Sequence, residues 1–398
     1  MDNKLVQGKI IGRKPCHCLI SSELIFFKRN TGMLPIVRKL FIYNIFILLI
    51  SCATSSEFKQ EPGSVSVMAY NVENLFDTQH DKGTEDHSYL PIEMKQTEEH
   101  KAICKQIRHG KYRAECYDMD WNQNILERKM KRLAEVILQV NSGKGPDILI
   151  VEEVENINVL TQLRDKYLKT ANYKTVVLIE GFDKRGIDIG LLSRLPQLDK
   201  AQLHKIPYKG KTADDQVWME RSRGILQVNL ELPDKSKLAV FGVHFPSGSN
   251  PTYWRQQSVT HLNQLMSQLP KDYLAIAGGD FNINSSEDSS HKLYKKEIGQ
   301  KWLVSHLIGC SSCRGTNYYH RKREWSFLDA LLFHKNLDRQ TGTANWYVDP
   351  KSIGIPNESV YQKNRFMSPA RFEAQSPVGV SDHWPIFAVL KPRKQIEN

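Results

Sequence analysis

Ile276-Ala277-Gly278-Gly279-Asp280-Phe281-Asn282 is the stretch on which the fold turns. An apolar run, Leu274–Ala277, reads as a buried strand. It breaks at two glycines and then delivers an acid and an amide. Polar groups at the end of a buried strand lie on the rim of a sheet, where loops can assemble a site. The same pattern recurs to either side. Upstream, Val240-Phe241-Gly242-Val243-His244 ends in an imidazole, Asp147-Ile148-Leu149-Ile150-Val151-Glu152-Glu153 in two carboxylates, and Val67-Met68-Ala69-Tyr70-Asn71 in an amide. Downstream, Ser326-Phe327-Leu328-Asp329 sets an acid in an apolar strand, and Val380-Ser381-Asp382-His383 puts an acid beside an imidazole.

Taken singly, each has an ordinary reading. Asn71 suits a turn. Glu153 suits a helix start, where a carboxylate favours the dipole. Asp280-Phe281-Asn282 reads as a loop, and Asp382-His383 as surface. Asp329 resists this, because a lone carboxylate between Leu328 and Leu331 is costly to bury without a partner.

Strand-like segments recur around these motifs at 64–70, 147–151, 175–179, 187–192, 224–232, 238–244, 274–277, 328–333 and 386–389. Helical spacing places Ile125, Met130, Leu133, Val136 and Ile137 on one face of 122–140. It does the same for Val259, Leu262, Leu265 and Met266 in 253–269. Strands and helices do not alternate strictly, so a single doubly wound parallel sheet does not fit. Two mixed sheets packed face to face with helices outside fit better. Residues 78–120 form a long charged insertion, and no internal repeat is evident.

Six motifs in this order resemble the endonuclease/exonuclease/phosphatase superfamily with its DNase-I-like fold, over about residues 65–391. That family reads Asn, Gln-Glu, His or Tyr, Gly-Asp-x-Asn, Ser-x-x-Asp and Ser-Asp-His. One departure is Glu152, where Gln is usual; its side chain is expected off the ligand face. The resemblance implies a metal held near Asn71, Glu153 and Asp382. It makes Asp280 the group that orients or deprotonates water, with Asn282 bonding the phosphate or the nucleophile. His383 contacts the scissile phosphate or acts as acid or base, Asp329 fixes its tautomer, and His244 donates to a phosphate or leaving oxygen. Arg223 matches a family position that contacts phosphate, and is otherwise a surface Arg. Asp188 is read as closing a strand turn. Oxygen donors of this kind suit Mg²⁺ or Mn²⁺.

The 398-residue chain carries +11, but residues 1–52 hold eight Lys/Arg and two Asp/Glu, leaving the rest at +5. Mild basicity is compatible with a polyanionic partner without demonstrating one. Arg38-Lys39 precedes an apolar run, 40–50, too short for an ordinary spanning helix and ending at Ser51-Cys52. It matches an export signal, and Cys52 a lipid-accepting Cys of the bacterial lipoprotein type. Met33 lies at a natural distance for the start of such a signal. Residues 53–64 read as a tether and 392–398 as a tail. Of seven cysteines, Cys104, Cys116, Cys310 and Cys313 remain for one or two disulfides; the Cys310-Ser-Ser-Cys313 pair is read as structural.

The expected function is a divalent-metal-dependent phosphoester hydrolase, foremost a secreted or envelope-anchored nuclease acting on DNA or RNA. The alternatives are a sphingomyelinase-like phosphodiesterase, a phosphomonoesterase and an inactive scaffold. Nucleic acid as substrate and a membrane reached through the lipid are the expected partners; no obligate protein partner is evident. Residues 316–325 interleave aromatics and bases, which suits either a backbone-tracking surface or a solvated hairpin. Inositol-phosphate phosphatases rank low, because Asn284 and Arg323-Glu324-Trp325-Ser326 stand where that branch carries Arg and Pro-Ala-Trp.

Overall fold

In the computed structural model residues 58–393 are described. Met33, Arg38-Lys39 and Cys52 lie outside them, as do Cys16 and Cys18. No helix among the described residues is long and apolar enough to cross a membrane.

Fourteen strands are placed among the described residues: β1 (Val65–Leu75), β2 (Ile148–Val154), β3 (Thr175–Leu178), β4 (Asp188–Ser193), β5 (Gln202–His204), β6 (Ile225–Glu231), β7 (Lys237–His244), β8 (Tyr273–Asp280), β9 (Trp302–Val304), β10 (Asn317–Tyr319), β11 (Glu324–Ser326), β12 (Asp329–His334), β13 (Trp346–Val348) and β14 (Ile386–Pro392). Among the helices beside them are α1 (Glu98–Gln106), α2 (Gly110–Asp118), α3 (Gln123–Leu138) and α4 (Thr252–Ser267). Two six-stranded sheets result, ordered β13-β14-β1-β2-β4-β3 and β5-β6-β7-β8-β12-β9, with β10-β11 as a separate hairpin. Each six-stranded sheet is mixed, with β1 parallel to β2 and β7 parallel to β8.

Alternation along the strands builds three cores. Val65, Val67 and Ala69 of β1 pack between the sheets with Ile148 and Ile150 of β2, Val240 of β7, Ile276 of β8 and Leu331 of β12. Met68, Tyr70 and Val72 point the other way and meet Ile125, Met130, Leu133 and Ile137 of α3. Phe241, Val243, Ala275 and Ala277 meet Val259, Leu262 and Met266 of α4. Burying a side chain of this size stabilises the fold by roughly 1.5–3 kcal/mol. The outcome is a four-layer helix–sheet–sheet–helix sandwich, as expected. Asn122 caps α3 by accepting from the amides of Asn124 and Ile125.

The two glycines of the opening motif have steric reasons. A Cβ on Gly278 would meet Ile150 Cδ1 and Leu331 Cδ2, each at 2.8 Å. Gly279 has φ +135°, and a Cβ there would run into the carbonyl of Val243. The sheets therefore approach closely just before the site. In the insertion α1 and α2 are joined by a Cys104–Cys116 disulfide, and a second disulfide links Cys310 to Cys313.

Candidate active site

Strand register assembles the centre. His244 of β7 is the cross-strand partner of Asp280 on β8, and Asp280 is the partner of Asp329 on β12. All three share the parity of the inner face, on which Leu238, Val240, Leu274, Ile276, Leu331 and Phe333 pack. Asn71 and Glu152, also cross-strand partners, continue the inner face of the opposite sheet. The inner faces thus pass from Val, Ile and Leu to Asn, Glu, His and Asp at one rim. A slip of one residue would turn these groups outward.

His383 is buried, and its Nδ1 lies 2.7 Å from Asp329 Oδ2. Its Nε2 faces Asp280 Oδ2 at 4.0 Å and Asp382 Oδ1 at 3.9 Å. His244 Nε2 approaches the same Asp280 oxygen at 3.7 Å and Glu153 Oε1 at 3.8 Å. Two imidazoles therefore flank one carboxylate, in opposite electrostatic settings. Burial opposes charging His383, but Asp329, then Asp280 and Asp382, override it and hold the ring well above the usual histidine range. Burial, reinforced by Arg223, Arg185 and His383, pushes His244 well below that range. Burial raises the Asp280 carboxyl to about 7 against the lowering effect of His383. Titrating groups driven apart in this way are suited to separate acid and base roles.

The remaining expected residues gather here too. Asn282 has φ +54° and donates from its side chain to the Phe245 carbonyl at 3.0 Å, while its backbone N–H donates to Asp280 Oδ1. Glu153 (φ +65°) accepts from the Asn74 amide and from Asn71 Nδ2. Glu73 and Asn74 are also left-handed, at φ +52° and +58°. Such backbone costs of order 1 kcal/mol or more per residue and concentrates at functional sites.

Three readings change. Asn71, expected near a metal as an oxygen donor, turns its Nδ2 to Glu153 and to Asp280 Oδ2, each at 3.2 Å. Its oxygen is taken by the Glu73 amide at 3.0 Å, which fixes this orientation, so Asn71 bridges the carboxylates. Arg223, expected to reach substrate, is buried and spent within the chain. It donates to the carbonyls of His244 and Phe245 and to Asp183 Oδ2 at 2.6 Å. It holds the His244 turn in place. Glu152, expected off the ligand face, instead lies on the inner face against the centre: it is wholly buried with neither oxygen hydrogen-bonded among the described residues, and a Cβ on Gly279 would meet it at 2.8 Å. Burial, then Asp329 and Asp280, raise its carboxyl well above the ordinary range. Asp188 accepts from the Gly181 amide at 2.8 Å, which closes the turn as read.

Sequence reasoning missed Glu73, Arg371 and Lys129. Glu73 accepts from the Asp382 and Phe372 amides and pairs with Arg371 Nε at 2.5 Å. Burial and Asp382 raise its carboxyl to about 7. Arg371 also faces Asp382 Oδ2 at 3.4 Å. Lys129, buried in α3, donates to the Val380 carbonyl, and burial lowers it to about 8. The only sequence signal was the nearness of Glu73 to Asn71; Arg371 lies in a loop without a motif. The 316–325 hairpin stands beside the centre. Thr316 takes the Asp329 amide on Oγ1 and the Trp384 amide on its carbonyl, and Asn317 Nδ2 donates to the Asp382 carbonyl. Tyr318, Trp325 and Trp384 form a ring ladder with 5.1 Å centroid spacings.

Glu153, Asp280 and Asp382 form a hard-oxygen donor set. Glu153 and Asp280 both approach His244 Nε2, Asp280 and Asp382 both approach His383 Nε2, and burial raises Asp280 and Glu73 to about 7. A divalent cation fits this chemistry.

The fold has relatives among solved structures. A humanized D. rerio TDP2 aligns at TM-score 0.50 with 14% identity, covering 83% of this chain and 99% of that one. An endonuclease/exonuclease/phosphatase family protein from Bacteroides thetaiotaomicron aligns at TM-score 0.46 with 18% identity, covering 83% and 98%. No curated protein matches the sequence. The family model described as endonuclease/exonuclease/phosphatase family matches residues 106–392, which is most of the chain. With that match over every strand but β1 and over most of the centre, the chain belongs to the endonuclease/exonuclease/phosphatase family.

Proposed function

We propose that the protein is a divalent-metal-dependent phosphodiesterase whose substrate is nucleic acid. The observation that carries this reading is the row His244–Asp280–Asp329 across three neighbouring strands, closed by His383 and Glu153. Glu153 and Asp382 would hold the cation, with Asp280 beside them. When bound, it would neutralise charge on the phosphorus oxygens. Asp280 orients the attacking water and accepts its proton. Asn282, set by its bond to Phe245, presents its amide to the phosphate. His383, kept charged by Asp329, donates to the developing charge at phosphorus or to the leaving oxygen. His244, kept neutral, donates from Nε2. Asn71 and Arg223 position these groups without touching substrate.

The hairpin supports nucleic acid over a lipid headgroup. Its half-exposed rings stand beside His383, with Arg321, Lys322 and Arg323 at its turn. Stacking rings flanked by cations suit a single strand. Export and anchoring through Cys52 are part of the same proposal and rest on residues 38–52 alone. Cys52→Ser is expected to release the protein from membranes, and continued membrane association would count against lipidation there.

The deciding experiment is hydrolysis by the purified protein of plasmid DNA, single-stranded RNA and sphingomyelin, with Mg²⁺ or Mn²⁺ and then with EDTA. Metal-dependent cleavage of nucleic acid, abolished by His383→Ala, is expected. Sphingomyelin cleavage alone would move the protein to the lipid branch. Silence on all three would overturn the nuclease reading.

A further inference from the structure

Outside the active centre, the loop that opens the insertion gathers a second group of ligating side chains. One ligand atom each from His80, Asp86 and His87 lies within 4.8 Å of the other two. The Asp86 carboxylate is 1% exposed. It is held by the Asp81 amide at 2.8 Å and paired with His80 Nδ1. The His80 and His87 rings lie 4.6 Å apart, and His87 meets His100 at 6.0 Å. Among the described residues, His87 is held by these ring contacts and not by a hydrogen bond.

We propose that His80, Asp86 and His87 form a second metal site, for a borderline divalent cation of the Zn²⁺ class, distinct from the oxygen-rich catalytic centre. Two imidazoles and a carboxylate are the donor set that such ions take, with the remaining position open to water. Mg²⁺, which prefers oxygen and retains its waters, is a poor match.

Two further observations favour a cation here. Asp77, Asp81, Asp86 and Glu155 are tied together through Asn156 and the Asp77 and Asp81 amides, and no Lys or Arg pairs with any of them among the described residues. The insertion also has little apolar interior: between 78 and 118 the buried residues are Asp86, Leu90, Pro91, Lys95, His100, Cys104 and Cys116. A segment this polar needs cross-links, and the Cys104–Cys116 disulfide supplies one at its far end. The other three-residue cluster of the insertion, His100-Cys104-Cys116, is closed to metal because both sulfurs are in that disulfide.

The site connects to the catalytic rim. The Glu85 amide donates to the Lys184 carbonyl at 2.6 Å, and Thr84 packs on Gly186. That turn carries Asp183, the partner of Arg223 under His244. Asn156, three residues after Glu153, donates to Asp77 and Asp81. A bound cation would order this loop against both strand ends.

The test is Zn²⁺ binding by the purified, disulfide-oxidised protein in excess Mg²⁺, read by equilibrium dialysis, with Co²⁺ visible absorption reporting the geometry. One Zn²⁺ equivalent that Mg²⁺ does not displace is expected, with a tetrahedral Co²⁺ spectrum. His80→Ala and His87→Ala should each weaken binding by at least about 100-fold, above the effect of losing an outer-sphere partner. Glu153→Gln should leave that equivalent in place. His80 is 38% exposed, so its replacement leaves the core intact, and unchanged circular dichroism would confirm this. Absence of the Mg²⁺-resistant equivalent, its loss in Glu153→Gln, or its retention at full affinity in both histidine variants would overturn the proposal.

Discussion

Asp329→Asn isolates what the carboxylate does for His383. The substitution keeps shape and volume in a side chain with no exposed surface, and removes one charge. The lost interaction is a buried, charge-assisted bond of 2.7 Å. Such a bond contributes about 1.5–3 kcal/mol. His383 would then keep only Asp280 and Asp382, at 4.0 and 3.9 Å, against a burial that already disfavours its charge. The ring should therefore titrate lower and lose its fixed tautomer. A positioned acid or base contributes on the order of 10²–10⁴ in rate, and most of that should vanish from kcat while KM changes little.

The stability effect has a definite sign. The folded-state value of His383 is raised, so its contribution is fully present below the unfolded value of about 6.5. It fades as pH rises through the folded value. Asp329→Asn should accordingly destabilise more in mildly acidic buffer than in alkaline buffer. The assays are steady-state hydrolysis, ¹⁵N chemical shifts of the imidazole across pH, and urea midpoints at two pH values. A folded variant within a few-fold of wild-type kcat, or one whose His383 titrates unchanged, would refute the role given to Asp329.

Asp183→Asn tests the support under His244. Arg185 and Arg223 overcome the burial of Asp183 and hold it at about 2, so it contributes about 2 kcal/mol above its unfolded value of 3.8. That contribution is lost as pH falls through about 2, so the variant should be less stable at pH 7 and show a flatter acid-unfolding curve between those values; an unchanged curve would contradict the pairing. Glu155→Gln works the other way. A folded value near 9 against an unfolded 4.5 makes folding take up a proton, so stability falls as pH rises through that window. The variant should be about 3 kcal/mol more stable at pH 7 in metal-free protein, and a lower urea midpoint would refute this. Asp280→Asn should remove nearly all turnover without unfolding the chain, and EDTA should silence the wild type reversibly. Near-wild-type activity in either case would remove Asp280, or the cation, from the mechanism.

The strands were legible because their inner faces are uniform. Val65, Val67, Ala69 and Ile148, Ile150 alternate cleanly, and all nine expected strands appear with their ends shifted by a few residues. Of the five others, all three residues long and too short for a period to show, β10 and β11 make the hairpin that was one of two readings of 316–325, and β5, β9 and β13 escaped. The helices α1 and α2 escaped for another reason. They bury little besides His100, Cys104 and Cys116, so no apolar stripe marks them.

The centre was legible where register makes it and obscure where loops do. His244, Asp280 and Asp329 end strands of opposite or equal direction at the same rim, so position in the strand fixes position in space. Glu73 and Arg371 meet across 298 residues of sequence through a loop whose path follows no period. Arg223 shows the limit of reading a charge as an invitation to substrate. Its place before β6 was visible, but its three acceptors, two of them carbonyls of the His244–Phe245 turn, exist only once β6 and β7 pair. A guanidinium that satisfies a turn beneath an imidazole acts on chemistry through that imidazole. Its loss should therefore change the geometry of His244 before it changes affinity for any phosphate.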